Sequence, residues 1–158
     1  MTPKHSRILF VDDERSIREM LSVILLRYGF TVSIAATLTE ALQKIHTQEF
    51  DLLLCDLNIE REGDGLEVVR AIRKVNPNCV TILLTAYPDT ESAVESIHLS
   101  IDEYIVKPTN ADTLVALLAE KLAQRAHRVF ASKGHAAQTE VNLTDESSLS
   151  ESKSKTIH

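Results

Sequence analysis

Five polar residues directly follow short apolar runs of the sequence, and their side chains suit phosphate or metal chemistry. They are Asp12, Asp13, Asp56, Thr85 and Lys107. The apolar runs before them cover residues 8–11, 52–55, 80–84 and 104–106. If the carboxylates share a pocket, their mutual repulsion raises their pKa values or draws in a cation. Oxygen ligands suit a hard divalent ion, and Mg²⁺ is the abundant candidate.

The lysine and the threonine extend this chemistry to phosphoryl transfer. Lys107 supplies a compact positive charge, and Thr85 supplies a hydroxyl donor. With a metal ion they would neutralise the charge of an incoming phosphoryl group while Asp56 attacks in line. Taken singly, Asp12 and Asp13 could cap a helix and Lys107 could be a solvated charge. Their joint placement at the ends of apolar runs favours a functional site.

Two alternating periodicities predict the elements that position these residues. Short runs that are apolar on both faces are typical of strands in a parallel sheet covered on both sides. Helical spacing separates them, as in Ile17, Met20, Leu21, Ile24, Leu25 and Tyr28. The alternation predicts an α/β, flavodoxin-like (βα)5 doubly wound sheet. Because the first and third runs are the most apolar, we expect the strand order 2-1-3-4-5, which brings Asp12, Asp13 and Asp56 together.

Capping signals predict where the helices begin and end. Gly29 is a stop signal for the first helix, and Thr37 and Glu40 are spaced as a capping box for the second. Asp89 and Asn110 are the expected N-caps of the fourth and fifth helices. The apolar positions that mark the fourth helix are Ala93, Val94 and Ile97.

Composition excludes several classes of function. The chain has 158 residues and a net charge of −6, so no basic field draws it to nucleic acid or to an anionic membrane. Aromatic residues make up 4%, too few for a base-stacking platform. Cys55 and Cys79 lie in apolar runs and are expected to be buried, reduced thiols. No apolar run is long enough for a membrane span and no signal peptide is visible, so we expect a cytoplasmic protein.

At this point the sequence resembles the receiver domain of two-component response regulators. The matching stretches are ILFVDDE at 8–14, LLLCDLN at 52–58, DGLEVVRAIR at 64–73, TILLTA at 81–86 and DEYIVKP at 102–108. The resemblance covers residues 6–126, and residues 127–158 are expected to extend the fifth helix and then form a disordered polar tail or linker.

The resemblance implies a role for each residue of the site. Asp56 would be the phospho-acceptor, and Lys107 would contact the phosphoryl oxygens. Asp12, Asp13, Asp56 and the backbone carbonyl of Asn58 would hold Mg²⁺. The phosphoryl donor would be a sensor histidine kinase or a histidine phosphotransfer protein.

The resemblance also implies a conformational switch. Thr85 would move toward the phosphoryl group, and Tyr104 would turn inward behind it. Asn58 and Tyr87 would tune dephosphorylation. The signal would leave through the face of helix four, strand five and helix five, toward an unidentified downstream protein or a homodimer. We expect no enzyme activity beyond self-phosphorylation and autodephosphorylation, and no direct binding of nucleic acid or membrane.

Three departures from the family pattern concern the surroundings of the site. The loop at 57–65 lacks the usual proline and is one residue longer than the commonest version. Ser100-Ile101 stands where a Gly-Ala pair is usual, so the end of helix four is expected to shift. No output domain follows residue 126, so we expect a stand-alone receiver.

Three alternatives remain at the level of sequence. The chain could be the receiver fragment of a larger regulator. It could also be a flavodoxin-like nucleotide or flavin binder, although the acidic first loop would repel phosphate unless a metal intervened. A metal-dependent phosphatase with an aspartyl nucleophile would need a substrate pocket and usually a longer chain.

Overall fold

A computed structural model describes the backbone of residues 5–154 and the side chains of residues 5–134. The strands are β1 (Arg7–Val11), β2 (Thr31–Ala35), β3 (Leu52–Asp56), β4 (Val80–Thr85) and β5 (Glu103–Val106). The helices are α1 (Arg15–Arg27), α2 (Leu38–Thr47), α3 (Asp64–Val75), α4 (Thr90–His98) and α5 (Ala111–Ser154). All strands are parallel in the order β2-β1-β3-β4-β5, so the predicted fold class and strand order are confirmed.

The sheet has an apolar core on each face because successive strand residues point to opposite sides. One core contains Leu9, Val11, Leu53, Cys55 and Leu83, with apolar residues of α2 and α3. The other contains Ile8, Phe10, Leu52, Leu54 and Ile82, with apolar residues of α1 and α5. The uninterrupted apolar runs of the sequence follow from this double coverage. Cys55 and Cys79 are buried and free, as expected.

Strand register brings the ends of β1 and β3 to the same edge of the sheet. Val11 lies opposite Cys55, so the residues that follow them, Asp12 and Asp56, leave the sheet side by side. On the other side of β3, Asp56 lies opposite Leu84 of β4. The carboxyl ends of the central strands therefore form the crevice in which open α/β sheets place their ligands.

The capping signals of the sequence are confirmed, except that Glu40 bonds to the residue before the N-cap and not to the N-cap itself. The hydroxyl of Thr37 accepts a hydrogen bond from the Glu40 N–H at 3.1 Å, and the Glu40 carboxylate accepts one from the Ala36 N–H at 2.9 Å. Asp89 caps α4 by accepting from the Ser92 N–H at 2.8 Å. Asn110 caps α5 by accepting from the Asp112 N–H at 2.7 Å. Each cap satisfies an N–H that has no partner within its helix.

The face of α4 differs from the sequence interpretation. The helix forms as predicted, but Val94 and Ile97 are 47% and 76% exposed, whereas Ser92 and Ser96 are buried. The apolar positions that mark this helix in the sequence therefore do not form its inner face. The buried hydroxyls are tolerated because Asp89, Tyr104 and the Ser92 carbonyl give them partners.

The fifth helix is longer than the sequence suggests. Its backbone is helical to Ser154, whereas we expected the helix to end shortly after Arg128. After Pro108 the sequence contains no proline and a single glycine, Gly134, so no strong helix breaker intervenes.

The predicted division of the chain is not tested by these elements. Residues 155–158 lie outside the described part of the chain. A polar tail or linker from residue 127 stays a prediction, as does the 6–126 boundary of the receiver. The contacts between residues divide the chain into two compact units, and the division falls between Ala123 and Gln124. No helix among the described residues is long and apolar enough to cross a membrane.

Both α1 and α4 end in a Schellman motif, but with different residues at the left-handed position. After α1, Gly29 has a φ of +93° and the Phe30 N–H reaches back to the Leu25 carbonyl at 3.2 Å. After α4, Ser100 has a φ of +55° and the Ile101 N–H reaches the Ser96 carbonyl at 3.1 Å. Helix four thus keeps the usual ending, and its left-handed residue carries a Cβ that disfavours this conformation.

Replacing Ser100 by glycine is expected to stabilise the protein. Ser100→Gly removes the Cβ from a left-handed residue and should raise the free energy of unfolding by about 0.5–1 kcal/mol. Gly29→Ser is the matched reverse change and should lower it by about 1 kcal/mol. Urea unfolding followed by circular dichroism measures both. A loss of stability in Ser100→Gly would contradict the assignment.

Candidate functional site

Asp12 and Asp13 follow β1 and differ sharply in exposure. Asp12 is fully buried, and its Oδ1 accepts a hydrogen bond from the Glu14 N–H at 2.9 Å. Its backbone carbonyl accepts one from the Arg18 guanidinium at 2.8 Å. Asp13 is exposed. A buried carboxylate beside an open one suits an ion that is held by protein oxygens and also keeps water ligands.

Asp56 ends β3 beside this pair. Its Oδ1 accepts a hydrogen bond from the Asn58 N–H at 3.2 Å, and its Oδ2 accepts one from the Lys107 ammonium at 3.0 Å. Burial raises the pKa of Asp56 above its ordinary value, while Lys107 and the Asn58 N–H oppose the rise. The side chain is 14% exposed, so one carboxylate of the cluster is shielded yet open to a reactant.

Lys107 joins the two carboxylates. Its ammonium lies 3.0 Å from Asp56 Oδ2 and 3.2 Å from Asp12 Oδ2. Burial lowers the pKa of Lys107, but the hydrogen bonds and charges of Asp56 and Asp12 outweigh it, so the net change is upward. The side chain therefore carries its positive charge at neutral pH.

The three carboxylates fit a hard divalent cation. Asp12, Asp13 and Asp56 each offer an oxygen, and these ligand atoms all lie within 4.8 Å of one another. The donor set is all-oxygen, as Mg²⁺ prefers, and two of the acids share only one ammonium. The predicted fourth ligand, the backbone carbonyl of Asn58, stays a prediction.

Thr85 lies at the neighbouring strand end and is tied to Lys107 through the backbone. The Lys107 N–H donates to the Thr85 carbonyl at 2.7 Å, so the two residues are fixed on adjacent strands. The Thr85 hydroxyl accepts a hydrogen bond from the Tyr87 N–H at 3.1 Å, within its own loop. Thr85 is thus placed at the predicted edge, with its hydroxyl turned to the β4–α4 segment.

The loop after Asp56 is closed by Asn58, a predicted site residue, and by Asp64, which the sequence interpretation did not single out. The Asp64 carboxylate accepts from the Glu60 and Arg61 N–H groups at 3.2 and 2.9 Å. Asn58 Oδ1 accepts from the Gly63 N–H at 2.9 Å. Gly63 has a φ of +81°, which explains the glycine there. The Asp-Gly pair at 64–65 is a turn signal that could have indicated this arrangement.

Gly65 allows the loop to pack against the end of β3. A Cβ on this residue would overlap the Asp56 carbonyl and come within 2.8 Å of the Leu57 Cα. Its N–H also donates to the Leu57 carbonyl at 2.8 Å. The end of β3 and the first turn of α3 are therefore in direct contact, which restricts the backbone position of Asp56.

The predicted tuning and switch residues lie near this site on three segments. Asn58 is half-buried, and its side chain is engaged within the 57–65 loop. The Tyr87 side chain is 80% exposed and borders the same cleft as Asn58 and Glu62. Tyr104 is half-buried on β5, packs against the core, and places its hydroxyl 3.0 Å from the Ser92 hydroxyl. The roles of these residues stay predictions.

Comparison with known proteins identifies the family. The sequence pattern of the response regulator receiver domain matches residues 8–119. The chain belongs to this family. The transcriptional regulatory protein ZraR of Escherichia coli is 36% identical over 78% of this chain and 28% of its own length. DltR of Streptococcus agalactiae is 34% identical over 75% of this chain and 52% of its own. The chain thus spans about a quarter to a half of these regulators.

Solved receiver structures have the same fold. A CheY-like receiver domain protein of Methanospirillum hungatei has a TM-score of 0.75 and 34% identity, covering 79% of this chain and 99% of that one. The response regulator TrrA of Thermotoga maritima, in complex with Mg²⁺-BeF, has a TM-score of 0.65 and 37% identity, covering 73% of this chain and 98% of that one. The predicted family resemblance is confirmed, and it replaces the flavin-binder and phosphatase alternatives as the interpretation of this fold.

Substitution of Gly65 tests the packing of the 57–65 loop against the end of β3. Gly65→Ala forces the Asp56 carbonyl and Leu57 apart and should cost about 1–3 kcal/mol of unfolding free energy. Gly134→Ala is the matched control, because open space surrounds this exposed helical glycine and alanine should stabilise by about 1 kcal/mol. Thermal denaturation compares the two. Equal effects of both substitutions would show that Gly65 is not a packing position.

Proposed function

We propose that this receiver accepts a phosphoryl group on Asp56 in the presence of Mg²⁺ and signals through α4, β5 and α5. The observation that supports this most directly is the Lys107 ammonium between Asp12 and Asp56, at the open end of the sheet. The acids offer oxygen ligands and the ammonium stabilises added negative charge, as phosphoryl transfer requires.

In the proposed reaction an Asp56 carboxylate oxygen attacks the phosphorus of a phosphohistidine. A P–O bond to Asp56 forms as the P–N bond to the donor imidazole breaks, and that nitrogen takes up the electron pair and then a proton. Bound Mg²⁺ would neutralise charge on the phosphoryl oxygens. Asp12 and Asp13 would hold it, while Lys107 moves from the carboxylate to a phosphoryl oxygen.

The donor would be a sensor histidine kinase or a histidine phosphotransfer protein. Thr85 would then leave its contact with the Tyr87 N–H and turn to the phosphoryl group, and Tyr104 would follow. The altered α4, β5 and α5 face would bind a downstream protein or a second copy of the chain. Within the proposal the chain has no turnover chemistry beyond its own phosphorylation and dephosphorylation, and it acts in the cytoplasm.

Asp56→Asn is expected to abolish phosphorylation. Asparagine cannot form the acyl phosphate, so incubation with Mg²⁺ and acetyl phosphate should add no phosphoryl mass, whereas the wild type gains one hydroxylamine-labile group. Intact-protein mass spectrometry measures the product. Asp51→Asn is the control, because Asp51 stands at the other end of β3, where it accepts from the Arg7 N–H. Labile label on Asp56→Asn would sink the assignment.

Removing the Tyr87 ring is expected to speed loss of the phosphoryl group. If the ring shields the acyl phosphate from in-line water, Tyr87→Ala should shorten its lifetime and Tyr87→Phe should preserve it. Release of inorganic phosphate from the purified phosphoprotein gives the rate. An unchanged lifetime in Tyr87→Ala would exclude Tyr87 as a tuning residue.

A further inference from the structure

The inner face of α4 is held by hydroxyl groups. Ser92 and Ser96 are its buried residues, while Val94 and Ile97 face out. Within the helix itself apolar burial therefore contributes little, whereas Leu99 and Ile101 after its end pack against the core. Hydrogen bonds at its first turn add to its anchoring. Among these hydrogen bonds, the Ser92 hydroxyl makes one with the N-cap residue Asp89 and one with Tyr104 of β5.

The direction of each hydrogen bond around Ser92 can be assigned. The Ser92 N–H and hydroxyl hold the pKa of Asp89 below its ordinary value, so this carboxylate is ionised at neutral pH and can only accept. The Ser92 hydroxyl, 2.7 Å from Asp89 Oδ2, must donate to it. Its single proton is then used, so the Tyr104 hydroxyl, 3.0 Å away, must be the donor to Ser92.

The two hydrogen bonds of the Ser92 hydroxyl link the Tyr104 side chain to Asp89, the N-cap of α4. Tyr104 lies on β5, and Asp89 is the N-cap that ends the β4–α4 loop. The same loop begins at Thr85, whose hydroxyl accepts from the Tyr87 N–H. Displacement of that loop would therefore reach Asp89 through the backbone, and from Asp89 it would reach Ser92 and Tyr104 through hydrogen bonds.

The first turn of α4 also has room to move. It borders an open cleft of about 300 Å³ that is lined by Asp89, Ser92 and Glu95 on one side and by Asn58, Gly63 and Leu66 on the other. A helix that is packed on all sides would lose contacts on moving into such a space. Here a shift of α4 mainly requires exchange of its hydrogen bonds and of the Glu95–Arg70 ion pair that joins it to α3.

We propose that Ser92 is a positioning residue that locks Tyr104 to the N-cap of α4 in the unphosphorylated protein. The inference rests on the proposed function, since the lock opposes the movement of Tyr104 that phosphorylation would drive. A ligand that prefers one of two conformations uses part of its binding free energy to shift the protein to that conformation. If the hydrogen bond that opposes the shift is weaker, less free energy is used in this way and the measured affinity is higher. Loss of the lock should therefore strengthen binding of a phosphoryl mimic.

The test measures beryllofluoride affinity in the presence of Mg²⁺ by titration calorimetry. Ser92→Ala keeps the N–H that Asp89 caps but removes the hydroxyl, and Tyr104→Phe removes the other end of the bond. One net hydrogen bond corresponds to a change of roughly fivefold, so each variant should bind roughly fivefold more tightly than wild type. Both changes break the Tyr104–Ser92 bond, and Ser92→Ala also removes the hydroxyl bond to Asp89. The effect of Ser92→Ala should therefore be smaller in the Tyr104→Phe background than in the wild type.

Ser96→Ala is the matched control. Ser96 is buried one turn further along the same face, and its hydroxyl donates to the Ser92 carbonyl within α4. Its removal should leave the affinity at the wild-type value. Wild-type affinity in Ser92→Ala, or a Ser92→Ala effect that persists in full in the Tyr104→Phe background, would overturn the proposal.

A second measurement separates this proposal from the function on which it rests. If the wild type binds no beryllofluoride, the proposed phosphoryl site fails, and the lock is judged from unfolding of the metal-free protein. Ser92→Ala and Tyr104→Phe should then be coupled by roughly fivefold in the unfolding equilibrium constant, whereas Ser96→Ala and Tyr104→Phe should be additive. Additivity of the first pair would overturn the lock.

Discussion

The contact on which the site depends is the Lys107 ammonium between Asp12 and Asp56. Asp12 is fully buried, and two acids this close repel each other unless a positive charge lies between them. Breaking a buried ion pair by removing one partner typically costs roughly 3–5 kcal/mol, because the remaining charge is left without compensation. In the proposed function the same ammonium would also meet the incoming phosphoryl group. Stability and chemistry therefore use one side chain here.

The paired strands of the sheet position the residues that make this contact. Parallel pairing fixes β1 against β3 and β3 against β4, and the Lys107 N–H ties β5 to the Thr85 carbonyl. The site residues therefore stand at the ends of strands whose apolar side chains are buried on both faces. The 57–65 loop adds a second constraint, since Gly65 packs directly on the Asp56 carbonyl and Asp64 closes the turn. Rigid elements hold the chemical groups within narrow limits.

Helix four follows a different design. Its inner face carries hydroxyls, its outer face carries Val94 and Ile97, and its end places Ser100 in a left-handed conformation. Each of these choices gives up stability that a packed apolar face and a terminal glycine would supply. Elements that move in signalling are drawn from the less stable parts of a fold. The small buried apolar area of α4, beside a site on rigid strand ends, would suit the proposed function, in which α4 responds to phosphorylation.

The sequence by itself determined the fold, the strand order and the set of acids and lysine at the strand ends. Continuous apolar runs, 3.6-residue patterns and capping residues act locally. The residue types at Gly29, Thr37, Asp89 and Asn110 were therefore enough to assign them to their helix ends. Only the tertiary structure decided that Ser92 faces inward and that Asp64 and Gly65 shape the 57–65 loop. It also decided that the Thr85 hydroxyl accepts a hydrogen bond from the Tyr87 N–H. Most of these partners are close in sequence, but which of them face each other depends on how the strands and helices pack. A hydroxyl is buried only where the fold supplies a hydrogen bond, and a glycine is required where the fold leaves no room for a Cβ.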